Sequence, residues 1–546
     1  MPDEPDSSSK HDAEQHDAGH SASSGDGTSG DGMDRRDAVK QLGGLGAAGL
    51  AGSLGLGGAA PASGEARRLE RLAEQDERNV VFMLSDDHRY DFMSFVDEPG
   101  TPDWLETPAM DRMAAEGAHL ENAFVTTSLC SPSRASVLTG QYAHQHGVID
   151  NQHRVPEGTI FFPEYLQEAG YETAFVGKWH MGHASAEPRK GFDHWVSFRG
   201  QGRYFNQTFN VNGEQEQREG YTTDLITEYA LDWLENRESE KPFFLYISHK
   251  AVHHPFAPAP RHEGRYADVE IDYPDSMADT EDNYAGKPDW LEKQRDSMHG
   301  VDYTFRGNME FDDLYRRYSE TLLALDENIG EVLDYLGTSG LGEETLAMYM
   351  GDNGFYLGED GVIDKRSAYE ESIRVPLLAW APGLIEPGTA VSELAANTDI
   401  APTSLNAADR AAPDYMVGRS LLPLMQGEDV PWRNHVFYEY FWEETFPQQP
   451  TMFALRSERY KYIWYYGVWE DNGFYDLQED PQEENNLINA EAHQERIQQM
   501  QSRLFDLLVA TDGMELPMRR PPGWEGGSER RPSDAPKTSP DDVSAP

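Results

Sequence analysis

Four short apolar runs, spread along the chain, each end in a cluster of polar side chains. No other feature restricts the fold as much. Asn79-Val80-Val81-Phe82-Met83-Leu84 runs into Ser85-Asp86-Asp87, and a strand within Gly170–Gly182 leads into Lys178 and His180. Lys241–Ser248 is followed by His249, Lys250, His253 and His254, and Leu346–Met350 by Gly351-Asp352-Asn353-Gly354. Unbroken apolar runs of strand length suit a sheet buried on both faces, which is the habit of parallel sheets. Leu314–Leu336 carries Leu322, Leu325, Ile329, Val332, Leu333 and Leu336 at helical spacing and predicts a helix packed on that sheet. Open α/β sheets bind ligands beyond the carboxyl ends of their strands, so the pattern predicts one polar site along that edge. Adjacent carboxylates such as Asp86 and Asp87 repel unless a cation relieves them, and a hard divalent ion with oxygen ligands fits. Read alone, Asp352-Asn353-Gly354 is also a turn sequence.

The sole cysteine, Cys130, lies in Leu129-Cys130-Ser131-Pro132-Ser133-Arg134-Ala135-Ser136-Val137-Leu138-Thr139-Gly140. A single cysteine excludes an intramolecular disulfide, and most lone cysteines are small buried hydrophobes. Here the neighbours argue for chemistry. Pro132 and Ser133 suit a helix start, which places Cys130 just before a helix N-terminus, where free N–H groups and the macrodipole favour an anion. Arg134 adds a fixed positive fork matched to a tetrahedral oxyanion. The residues by themselves read as a thiolate nucleophile in an anion-binding frame. The histidines after Ser248 raise a zinc site as a rival, but there is no second cysteine and the other motifs are rich in carboxylates.

The Cys130-Ser131-Pro132-Ser133-Arg134 run, followed by four residues and Thr139-Gly140, resembles the signature of the type I sulfatases of the alkaline-phosphatase-like superfamily. The resemblance implies that Cys130 is converted to Cα-formylglycine by a maturation enzyme before folding, and that the hydrated aldehyde attacks sulfur. It implies metal ligation by Asp86, Asp87, Cys130, Asp352 and Asn353, with calcium favoured over magnesium. Arg134, Lys178 and His180, the last two in Gly177-Lys178-Trp179-His180, would surround the sulfate. His253 would be the catalytic-type histidine, although Val252 stands where proline is common. Lys365, in Asp364-Lys365-Arg366, would bind sulfate and, with His253, protonate the departing oxygen, while His180 would take a proton as sulfate is released. Phe192–Asn206, which includes Gly200-Gln201-Gly202-Arg203-Tyr204-Phe205-Asn206, resembles a loop near the substrate cleft. His88, Arg89 and Asp91 receive no role, and Asp360 stands where relatives often carry histidine. The implied fold is an alkaline-phosphatase-like α/β/α sandwich with a large mixed sheet plus a smaller C-terminal domain with an antiparallel sheet and helix. The middle and C-terminal segments look closer to glycan sulfatases such as N-acetylglucosamine-6-sulfatase than to small aryl sulfatases. A phosphonate monoester or phosphodiester hydrolase of the same superfamily is the alternative.

Outside this core the composition changes. Residues 1–32 are polar and predict a disordered acidic leader. In 33–62, Arg35-Arg36 precedes an apolar Leu42–Leu56 run and Ala60-Pro61-Ala62, which resembles a twin-arginine signal and predicts export without a retained membrane span. Residues 78–425 read as the catalytic domain and 262–304 as a long acidic insertion, either lining the cleft or solvated. Residues 430–510 read as the smaller domain, with strands at Val436–Phe441, Thr451–Arg456 and Tyr460–Tyr466 and a helix near Ala490–Leu508; 513–546 read as a tail. With 45 basic against 97 acidic residues, a net charge of −52 opposes binding to nucleic acid or anionic membranes. Such a surface looks like a halophile's, so an anionic substrate needs a local positive patch.

Overall fold

The computed structural model describes residues 77–182, 185–306, 309–467 and 471–517, so the leader, the signal and nearly all of the tail lie outside the described residues. Among the described residues, sixteen strands occur in chain order. They are β1 (Asn79–Ser85), β2 (Ala118–Leu120), β3 (Ala123–Phe124), β4 (Glu172–Lys178), β5 (His194–Phe198), β6 (Thr208–Val211), β7 (Glu214–Gln217) and β8 (Phe243–Ser248). There follow β9 (Thr345–Gly351), β10 (Leu377–Trp380), β11 (Thr389–Val391), β12 (Ala395–Ala396), β13 (His435–Tyr440), β14 (Thr451–Ser457), β15 (Tyr460–Tyr466) and β16 (Gly473–Asp476).

Ten strands form one mixed sheet in the order β11-β2-β10-β9-β1-β8-β4-β5-β6-β7. Its centre is parallel: β1 pairs with β9 and β8, and β8 pairs with β4. Every residue of β1, β8 and β9 is buried, as unbroken apolar runs covered on both faces require. Phe311–Ser339 is one helix of 29 residues and lays Leu322, Leu325, Ile329, Val332, Leu333 and Leu336 into one core layer with Val81, Met83 and Ala347 of the sheet. The other face of the sheet is covered by a layer that includes the Cys130–Thr139 helix. Because the four central strands run the same way, Ser85, Lys178, Ser248 and Gly351 end at one edge. Gly177, with φ +123°, permits that closeness, since a Cβ there would lie 1.9 Å from the Ser248 carbonyl oxygen.

The second sheet, β13-β14-β15-β16, is antiparallel. Strand alternation splits its side chains. Phe437, Phe453, Leu455 and Tyr462 pack with Ile497, Met500, Leu504, Leu507 and Leu508 of the Gln494–Ala510 helix, while Val436, Tyr438, Tyr440, Met452, Ala454 and Ile463 join the core under the Cys130 helix. Each such fully buried leucine contributes on the order of 1.5–3 kcal/mol. The acidic 262–304 stretch departs from an irregular loop. It contains helices Glu281–Tyr284 and Asp289–Gln294, a third helix (Val301–Arg306) follows, and Trp290, Leu291 and Val301 are buried. No helix among the described residues is long and apolar enough to cross a membrane.

Candidate active site

The Cys130–Thr139 helix is buried along its whole length, which is unusual for a segment with three serines and an arginine. Its polar groups are paired inside. The Ser131 hydroxyl donates to the His180 carbonyl at 3.0 Å, Asn397 Nδ2 donates to Ser133 Oγ at 2.9 Å, and Thr139 donates to the Ala135 carbonyl at 2.7 Å. Cys130 is the first helical residue rather than the one before it, and the extended Leu129 takes the cap position. No side chain caps the helix, because Leu129 at the cap position has no polar atom to offer.

Arg134 is 1% exposed and paired on several sides. Its Nε and Nη2 reach Asp352 Oδ2 at 2.9 and 2.8 Å, and Nη1 donates to the Lys178 carbonyl at 2.9 Å and to Ser248 Oγ at 2.6 Å. One guanidinium therefore ties together the ends of β4, β8 and β9. Asp86 accepts from the Cys130 thiol at 3.2 Å on Oδ1 and from Lys178 Nζ on Oδ2. Asp87 accepts from Lys365 Nζ and, at 2.7 Å, from Asn353 Nδ2; Lys365 Nζ also lies 3.2 Å from Cys130 Sγ. His253 turns its Nε2 to within 3.9 Å of Asp87, while Nδ1 lies 2.7 Å from the His254 carbonyl. A carbonyl only accepts, so Nδ1 carries the proton and Nε2 faces the site. His180 Nδ1 is 3.3 Å from Ser131 Oγ. Asp87 and His180 both take left-handed φ values of 60°, a conformation worth about 1–3 kcal/mol of strain that the surrounding bonds hold in place.

The residues brought together by the motif reading thus meet at one edge. Burial would raise the Asp86 carboxyl, but the Lys178, Arg134 and Lys365 cations outweigh it and hold it well below the usual range. Burial and the Asp86 charge leave Asp352 raised to about 7, and Asp87 is raised by burial despite Lys365. Burial, with Asp86, pushes the Cys130 thiol up to about 12, so an unmodified Cys130 is a neutral thiol and a weak nucleophile. Burial, with Lys365 and Lys178 beside it, holds His253 well below its usual value, hence neutral.

Ligand atoms of Asp86, Asp87, Cys130 and Asp352 lie within 4.8 Å of one another. Asn353 Oδ1 is buried beside them with no hydrogen-bond partner. Three crowded carboxylates and an orphaned amide oxygen form a hard donor set that fits a divalent cation; the single histidine near them does not suggest zinc. The sulfatase profile matches residues 78–410, and the profile of the N-sulphoglucosamine sulphohydrolase C-terminal region matches residues 358–510. This chain belongs to the sulfatase family. The sulfatase is 32% identical to the N-acetylglucosamine-6-O-sulfatase of Bacteroides thetaiotaomicron over 80% of this chain and 87% of that protein. A solved structure of a protein in complex with its substrate D-glucosamine-2-N,6-O-disulfate superposes with a TM-score of 0.74 at 29% identity, covering 82% of this chain and 100% of that one. The phosphonate monoester hydrolase of Silicibacter pomeroyi shares the fold, with a TM-score of 0.67 at 20% identity over 79% of this chain and 95% of that one. The chain is a sulfuric ester hydrolase.

Several of the sulfatase's site residues received no individual role from the sequence. Ser248 looks like an ordinary strand end, yet it receives Arg134 and donates to the Lys178 carbonyl at 2.7 Å. Gln201 accepts from Lys178 Nζ. Glu443, from the β13–β14 connection, holds Arg366 beside Lys365 at 2.8 Å. The residues left without a role make close contacts of their own. Arg89 pairs with Asp91 and Glu359, each at 2.6 Å, His88 contacts Tyr349 at 2.6 Å, and Asp360 pairs with Lys287 at 2.5 Å.

Proposed function

We propose that the sulfatase removes sulfate from a glycan, with 6-O-sulfated N-acetylglucosamine the first substrate to test, using formylglycine made from Cys130 and a bound divalent cation. The carrying observation is the convergence of Cys130, at the start of a buried helix, with three carboxylates and three paired cations at one sheet edge. Asp86, Asp87, Asp352, Asn353 and residue 130 would hold the ion; calcium, which accepts many side-chain oxygens in irregular geometry, is favoured over magnesium. Bound there, the aldehyde hydrate and the ion would supply an oxygen nucleophile of lowered pKa and a Lewis acid.

The remaining work falls to side chains. Arg134 is locked by Asp352 and the ends of β4 and β8, so its charge is preorganised at the site floor. Lys178 and Lys365 would transfer part of their attraction from Asp86 and Asp87 to the sulfate oxygens as the ion takes the carboxylates. His253, with Nδ1 bound to a carbonyl, presents Nε2 for proton transfer to the departing alcohol, together with Lys365. His180, held through Ser131, would accept the proton when sulfate is released. Export through Arg35-Arg36, and maturation of Cys130 by a formylglycine-generating enzyme, belong to the same proposal.

The test is turnover of a panel of sulfated glucosamines, an aryl sulfate and an aryl phosphonate, with mass spectrometry of the Cys130 peptide. Hydrolysis of 6-O-sulfate and an aldehyde at position 130 are expected. Preference for the phosphonate, or an intact thiol in active enzyme, would overturn the reading. Replacing Arg35 and Arg36 by lysine should retain the chain in the cell.

A further inference from the structure

Among the described residues, Lys178, Lys250, Lys365 and Lys461 are the buried lysines, and three of them have carboxylate partners. Lys178 meets Asp86, Lys365 meets Asp87, and Lys461 lies 2.8 Å from both Glu370 and Glu483. Lys250 is the exception. It is 1% exposed, and its ammonium makes a 3.3 Å hydrogen bond to the His254 carbonyl and lies 4.7 Å from the centroid of the Tyr204 ring, with no carboxylate against it. A buried ammonium without a counter-ion is costly and calls for an anion that arrives from outside.

Its position says which anion. Lys250 stands two residues past β8, and the next peptides clamp Asp86: the Asp86 N–H donates to the Ala251 carbonyl at 2.9 Å and the Val252 N–H to the Asp86 carbonyl at 2.7 Å. One loop covers both lysines. Gln201 receives the Lys178 ammonium, and three residues on, Tyr204 lies against Lys250 and donates to the His253 carbonyl at 2.6 Å. Burial and then the neighbouring Lys178 charge hold the Lys250 ammonium down at about 8, as expected for a cation that lacks a partner of its own.

We propose that Lys250 is a further anion-binding residue of this site, contacting the sulfuryl oxygens of the bound ester alongside Lys178. The proposal rests on the sulfatase reading. Tyr204 offers a neutral face that tolerates the ammonium while the site is empty of substrate, so the charge is kept without being neutralised. Because no internal ion pair is lost, removing this charge should leave the fold unharmed, unlike removal of any of the paired lysines.

The experiment measures protection by inorganic sulfate, read from the thermal unfolding midpoint of the full chain, in parallel with aryl sulfate turnover. In Lys250→Met the apparent sulfate affinity should fall about 10- to 100-fold, the worth of one charge-assisted hydrogen bond, with kcat/KM falling in step. The midpoint without sulfate should stay level or rise, and Lys250→Arg should recover much of the affinity. Lys250→Gln is read the same way should the methionine variant not fold. Sulfate protection of Lys250→Met equal to the wild type overturns the proposal, including the case in which Lys250 meets a second anionic group of the substrate instead. A wild-type enzyme that neither binds sulfate nor hydrolyses any sulfate ester overturns the sulfatase reading itself.

Discussion

Arg134→Met tests whether the guanidinium holds the site together. The change keeps an apolar stem of similar length and removes donors to three groups. Two of them are covered: the Lys178 carbonyl still accepts from Ser248 at 2.7 Å, and Ser248 keeps that bond as a donor. The loss therefore falls on Asp352, which gives up both contacts to Oδ2, keeps only the Asp87 N–H at 3.1 Å on Oδ1, and is 0% exposed. Removing one partner of a buried pair costs about 3–5 kcal/mol. Asp352 is already raised to about 7 by burial and Asp86, and losing Arg134 drives it higher. The wild-type carboxyl already stays protonated up to about pH 7, so the added penalty should be small below about pH 6 and grow as pH rises past 7 toward the higher pKa of the variant. Urea denaturation in chelator, across pH 4 to 9, measures it. A loss under about 1 kcal/mol at pH 8, or one independent of pH, would mean that Arg134 is not the counter-charge of Asp352.

Cys130→Ala should abolish sulfate-ester hydrolysis and leave the circular dichroism spectrum unchanged; substantial turnover would remove residue 130 from the chemistry. Asp352→Asn should weaken calcium binding measured by calorimetry, and chelation of the wild type should stop turnover until calcium is restored. Lys461→Met, which leaves the buried Glu483 without its cation while Glu370 keeps Arg456 at 3.0 Å, should lower stability by about 3–5 kcal/mol in urea titrations. With a net charge of −52, the unfolding midpoint should rise steeply between dilute buffer and molar salt, as the Debye length shrinks from about 30 Å to about 3 Å; a flat response would dismiss surface repulsion as a factor.

The four central strands, the 29-residue helix and the small antiparallel sheet were legible because each carries its own periodicity, and the Asp86, Asp352 and Cys130 motifs because they sit at fixed places relative to those runs. The edges were less legible. The two-residue β3 and the fully exposed Glu214-Gln215-Glu216-Gln217 strand have no apolar signature and are set by their pairing partners. The same holds for Ser248 and Glu443, whose function lies in partners distant along the chain, while Gln201 was legible only as part of a loop near the cleft. In the 262–304 stretch the acidic residues masked the signal of Trp290 and Leu291, which anchor the stretch in the core. Lys250 was visible as one of several basic residues after a strand, but its lack of a counter-ion is a three-dimensional fact.

The burial of Cys130 also has a consequence in time. Lys365, which closes over its sulfur, is added 235 positions later in the chain. At about 5–20 residues per second of synthesis, this leaves an interval on the order of 10–50 s in which the cysteine exists and its final cover does not. An enzyme that must grip the segment around residue 130 as an open peptide has that interval, and little afterwards. On the proposed conversion of Cys130 to formylglycine, the fraction of active sulfatase a cell makes would be set by a race on the ribosome, and codons that slow translation between Cys130 and Lys365 should then raise specific activity without changing a single amino acid.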